Sequence, residues 1–252
     1  MAPVNKLAIA ILAATLVAAC GKKDEPQVDA ASLRPPSGGD VKVFQPPAES
    51  APSLPTVKVD PARAYHKATS GVDLAYLYFA LTDIPVDFDA LAADVSEEYR
   101  RTTDTFKKKE MLDALRPEIQ SKIAALKANP FIVLQADSSL GHYDLPSQSF
   151  PVKGLPLGPG EYLHFYGANY RVAISNGADF RQLKVADEGR ARAMEAIVTN
   201  GVPGSVIRNA YPTKAEMFLY AQAADKNTRV MQFQLVQLKL MDEKGELVGE
   251  IH

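Results

Sequence analysis

The sequence predicts an α+β fold, with N-terminal helices packed on a mostly antiparallel C-terminal sheet. Three observations predict it. Apolar residues recur at three- and four-residue steps between Leu112 and Leu126. After Pro130 the apolar runs become short and several alternate in period two. SNGAD, ADKNT and DEKG read as turns between strands, so helices come first and mostly antiparallel strands follow.

Taken in order, the first helix is expected over residues 73–81, an apolar, tyrosine-rich run with Ser70 three residues ahead of Asp73 as in a capping box. Asp83, Ile84 and Pro85 turn the chain, and Asp87 caps a helix expected to run through Glu98. In residues 103–130 Leu112, Leu115, Ile119, Ile123 and Leu126 share one helical face, and Pro117 should kink or divide that helix. Beyond Pro130, residues 131–134, 162–166, 170–174 and 180–185 read as strands, with Asn176 and Gly177 making a tight hairpin turn between the last two. A helix over residues 188–199 should stop at Asn200 and Gly201. Residues 216–223 and 229–241 are long strands, and the apolar phase slips between Leu235 and Val236 as at a β-bulge. A last short strand ends near Ile251.

The 252 residues carry a formal net charge of -2. That balance gives no whole-domain basic field, so no nucleic-acid partner is expected. Arg100, Arg101, Lys107, Lys108 and Lys109 are interleaved with Glu97, Glu98, Asp104, Glu110 and Asp113, and spacings such as Glu97 to Arg101 and Asp104 to Lys108 predict a self-paired, solvated face. Residues 21–55 hold seven of the 18 prolines, together with Ser, Gly and scattered charge. Such a stretch buries too little to fold and reads as a tether, with a proline-extended reach of at most roughly 100 Å. Within it Val41, Lys42, Val43 and Phe44 read as a less polar spot in the linker. The expected organisation is residues 1–19 as an export signal, 20–55 as the tether, and 56–252 as one domain, helical over 56–129 and mainly strands over 130–252.

The only cysteine, Cys20, has no partner for an internal disulfide or a metal pair. It follows Lys6, an eleven-residue apolar run over residues 7–17, and the small pair Ala18 and Ala19. That run spans about 16 Å as a helix, short of the bilayer core, and fits a removable export signal. Val17, Ala18, Ala19 and Cys20 resemble the lipobox of bacterial lipoproteins. The resemblance implies that Cys20 takes a diacylglyceryl group and becomes an acylated N-terminus, with two or more chains giving durable membrane anchoring. Gly21 in place of an aspartate implies, by the same resemblance, the periplasmic face of the outer membrane. Residues 103–130 also resemble helical portions of uncharacterised bacterial lipoproteins, which brings no activity with it.

For chemistry, the four histidines His66, His142, His164 and His252 form no zinc signature, and no Walker loop, dinucleotide fingerprint or G-x-S-x-G elbow is present. No cofactor and no metal site are expected. GLPLGPGEY, over residues 154–162, is glycine-rich but broken by Pro156 and Pro159, which have no amide to give a phosphate. Asp137, Ser138, Ser139, His142 and Asp144 supply the residue types of a hydrolase, yet they also read as a turn, and triads are defined by geometry. If residues 162–166 form a strand, Tyr162, His164 and Tyr166 share one side and Leu163 and Phe165 the other, so the polar-tipped aromatics form a candidate binding face. The expected function is a non-catalytic binding or structural module with an envelope protein partner. The alternatives are a periplasmic hydrolase using the Ser138, His142 and Asp144 region, or a carrier of an apolar ligand.

Overall fold

The helices of the first half begin where a carboxylate or hydroxyl side chain accepts from backbone amides at or just before the first turn. In the computed structural model, which describes residues 54–59, 63–164, 169–201 and 208–252, strand β1 (His66–Lys67) leads into helix α1 (Gly71–Leu81). There the Asp73 carboxylate accepts from the amides of Thr69 and Ser70 at 2.9 and 3.0 Å. Leu74, Tyr76, Leu77 and Tyr78 are all buried, so α1 is covered on more than one side. Helix α2 (Phe88–Val95) starts where Asp87 accepts from the Ala90 amide at 3.0 Å. The helix expected to run through Glu98 is broken instead at Ser96, whose hydroxyl accepts from the Tyr99 amide and starts α3 (Glu97–Arg101).

Helix α4 (Thr105–Ala128) is capped by Asp104 and runs undivided through Pro117. Of its apolar stripe, Ile119 and Leu126 are buried while Leu112, Leu115 and Ile123 pack against the core. The basic cluster is paired largely as expected: Glu97 with Arg101 at 2.5 Å, Glu98 with Lys107 at 2.8 Å, and Lys109 with Asp113 at 2.7 Å. Asp104 is taken by its capping role, and the Lys108 ammonium lies 4.9 Å from the Tyr99 ring centre instead. The Tyr99 hydroxyl donates to Asp89 at 2.5 Å, and this bond, reinforced by burial, pushes the phenol pKa up to about 12. Because the folded value lies above the ordinary one of about 10, this stabilisation is complete below pH ~10 and is lost as pH rises toward 12. Wild type should therefore outlast Tyr99→Phe in thermal melts near neutrality, with the gap closing above about pH 10; a gap that stays constant into alkali would refute the assignment.

The sheet has nine described strands, in the order β4-β5-β8-β7-β2-β3-β6, with β1 beside β2 and β9 beside β8. These are β2 (Phe131–Leu140), β3 (Ser149–Lys153), β4 (Leu163–His164), β5 (Arg171–Ile174), β6 (Gln182–Lys184), β7 (Tyr211–Ala224), β8 (Val230–Met241) and β9 (Leu247–Ile251). Only β1 with β2 and β5 with β8 pair in parallel. Helix α5 (Glu188–Asn200), capped by Asp187 and closed at Gly201 with φ of 76°, packs against β7. The core side of the central strands carries Leu134 and Leu140 of β2, Met217 and Leu219 of β7, and Phe233, Leu238 and Leu240 of β8. The phase slip in β8 is a bulge: Phe218 pairs with Gln237 and Leu219 with Leu235, leaving Val236 extra.

Two sequence expectations give way here. Residues 137–140 are not a turn but the end of β2, because Ser138 lies opposite Thr213 and their hydroxyls meet at 2.8 Å, while Asp137 faces Lys214 at 3.3 Å. Nor is SNGAD a hairpin. Strand β5 pairs with β4 and β8, β6 pairs with β3, and a short 3₁₀ turn at Gly177–Phe180 lies between them. The Asn176 amide donates to the Leu235 carbonyl and accepts from its N–H, at 2.9 and 2.8 Å, standing in for a strand partner.

The described residues belong to one unit within Pro47–His252. Where the chain enters it, side-chain amides hold the backbone: Gln234 exchanges two 2.8 Å bonds with Val57, and Gln222 donates to the Pro55 carbonyl at 3.0 Å. Cys20, the lipobox-like residues 17–19, most of the expected tether and residues 41–44 lie outside the described residues.

Candidate functional site

The outermost described strand on one side of the sheet is β4, which pairs with β5 through Leu163 with Val172 and His164 with Arg171. Alternation along a strand sends neighbours to opposite faces. Leu163 accordingly packs against the core, while Tyr162 (38% exposed) and His164 face solvent. Their rings lie 6.5 Å apart, edge to face. The Arg171 guanidinium stands 5.1 Å over the Tyr162 ring and donates to the Thr228 carbonyl at 2.9 Å, which fixes it from behind. Tyr166, the third member of the expected face, lies outside the described residues, as does Phe165. Arg171 joins the face unannounced by sequence, because only the β4 to β5 register brings it there. Tyr170, next in the chain, turns inward to within 5.1 Å of the Tyr78 ring. What gathers there is a phenol, an imidazole and a half-buried guanidinium: flat contact area carrying hydrogen-bond donors on the outermost described strand pair.

Ser138, His142 and Asp144 are each engaged separately. The Ser138 hydroxyl is buried against Thr213. Asp144 accepts from the Ser147 amide and hydroxyl and closes a turn through its backbone to Ser149. His142 has a partner that sequence reasoning missed, Glu195 on α5, with Nδ1 and Oε1 2.7 Å apart. The second Glu195 oxygen accepts from the Tyr143 amide at 2.8 Å. Burial works to raise the Glu195 pKa, but the bonds from His142, Tyr143 and Thr199 outweigh it and hold the carboxyl below its usual range. The pair can orient an imidazole, with half of the His142 side chain open to water. No hydrogen bond joins it to the Ser138 hydroxyl or to Asp144.

Among the described residues, no group of three His, Cys, Asp or Glu side chains is placed to hold a metal ion, and no helix is long and apolar enough to cross a membrane. Comparison of the chain with protein-family models, with curated proteins and with solved structures found no match.

Proposed function

We propose that the protein is an exported lipoprotein, anchored through an acylated Cys20 at the periplasmic face of an outer membrane, whose α+β body binds an envelope protein without turning it over. The observation that carries the anchor is the placement of the chain's one cysteine, directly behind a short apolar run and two alanines and ahead of a proline-rich stretch. Support for the binding role comes from the Tyr162, His164 and Arg171 face, since exposed aromatics beside arginine are favoured at recognition surfaces.

In the organism's own cells, metabolic labelling with a fatty acid should mark wild type and leave Cys20→Ser unlabelled; equal labelling removes the anchor from this reading. A photo-crosslinker in place of Tyr162 should trap one protein neighbour, and the same probe at exposed Leu145 should not. Identical products at both positions would argue against the face. A second reading, a small hydrolase, rests on the His142 and Glu195 pair alone. It requires that His142→Ala fold normally and fail to complement a deletion phenotype.

A further inference from the structure

A cleft of about 210 Å³ opens where β1 meets α1 and the second half of α4. Leu126 and Ile132 give it an apolar floor, and His66, Lys67, Tyr76 and Lys122 line its polar wall. We propose that this cleft is a binding site for a small organic carboxylate, an acceptor head on a short apolar body.

Tyr76 is 3% exposed, yet its hydroxyl takes no hydrogen bond from the described residues. Lys67 is exposed and forms no ion pair among them. Lys122 lies 2.9 Å from Glu118, leaving further N–H groups, and its ammonium is 5.5 Å from the Tyr76 ring centre. His66 also lines the cleft, but its Nε2 is buried out of a ligand's reach and is not among the groups the cleft offers. Asp73 also lines the cleft, but its Oδ2 already accepts from the Thr69 and Ser70 amides and the Ser70 hydroxyl. What the cleft holds unspent is therefore mostly donors, and the group that fits them is an acceptor. Burial raises the Tyr76 pKa, which keeps the phenol protonated and able to donate.

Charge and size narrow the class. Asp73 and Glu118 stand close by, and among the described residues Lys67 is the ammonium on the wall that has no carboxylate partner, which suits a single negative charge better than a phosphate dianion. The volume equals about seven waters at roughly 30 Å³ each, room for a ring or a branched chain of a few carbons on the apolar floor. This site is independent of the anchor and of the β4 edge.

Calorimetric titration of the full chain with sodium benzoate should show one saturable site of roughly millimolar affinity. Benzyl alcohol, with the same ring and no charge, should give no saturable heat, and inorganic phosphate should bind more weakly than benzoate. Tyr76→Phe removes one oxygen and keeps the ring packing, and Lys67→Ala changes an exposed side chain; each should weaken benzoate about tenfold. The proposal is overturned by a cleft that takes water alone, so that benzoate gives no saturable heat. It is equally overturned by phosphate binding more tightly than benzoate, by benzyl alcohol matching it, or by benzoate affinity unchanged in both variants.

Discussion

Gly177→Ala should lower the melting temperature by about 6–12 °C, from a cost of roughly 3 kcal/mol. A Cβ on Gly177 would lie 2.7 Å from both the Cα and the carbonyl oxygen of Leu157 and 2.9 Å from its carbonyl carbon. All three are backbone atoms, so no side chain can swing aside. Leu157 is itself held, its amide bonded to the Leu155 carbonyl at 2.9 Å and its carbonyl to the Arg181 guanidinium at 3.1 Å. On the other side Asn176 is clamped by its paired bonds to Leu235. Gly245→Ala is the control. Gly245 has φ of 82° with nothing within 4 Å of the added carbon, so its cost is confined to left-handed backbone strain, about 1–2 kcal/mol. Equal melting of the two variants would show that the contact with Leu157 relaxes freely.

The same residues show what sequence reading reaches and where it stops. Asp87 and Asp187 act within three residues of themselves and were legible as, or beside, expected helix starts, whereas Asp104 was read as a partner of Lys108 and caps a helix instead. The bulge at Val236 was legible because burial imposes a phase on a strand and the apolar pattern records its slip. Asn176 was misread because its partner, Leu235, is 59 residues away, and an Asn-Gly pair looks alike whether it closes a hairpin or docks on a distant strand. Ser138 was misread for the same reason: Thr213, 75 residues on, converts a turn-like serine into a strand residue. At the candidate site, the inward Leu163 and outward Tyr162 and His164 follow from period two alone. Arg171 and Glu195, and the cleft built from β1, α1 and α4, depend on pairings between elements that no local pattern encodes.

Phe233→Ala and Tyr162→Ser should separate core from face in one pair of melts. Phe233 has no exposed surface, lies opposite Ile174 on β5 and Ala221 on β7, and sits among the largest fully buried side chains. Its truncation removes buried area and leaves a cavity between strands that are paired on both sides and cannot collapse inward, so about 3–5 kcal/mol should be lost. For a body of this size that corresponds to a fall of roughly 6–20 °C. Tyr162 is as large in kind but 38% exposed, with Arg171 and His164 as its ring contacts. An exposed cation-π contact is worth about 0.5–1 kcal/mol, so Tyr162→Ser should cost no more than about 1 kcal/mol. Capture of the crosslinked neighbour should respond in the opposite sense, falling in Tyr162→Ser at temperatures where Phe233→Ala, still folded, retains it. If Tyr162→Ser melts as early as Phe233→Ala, the tyrosine holds the β4 edge in place, and the exposed ring is a structural prop rather than a surface offered to a partner.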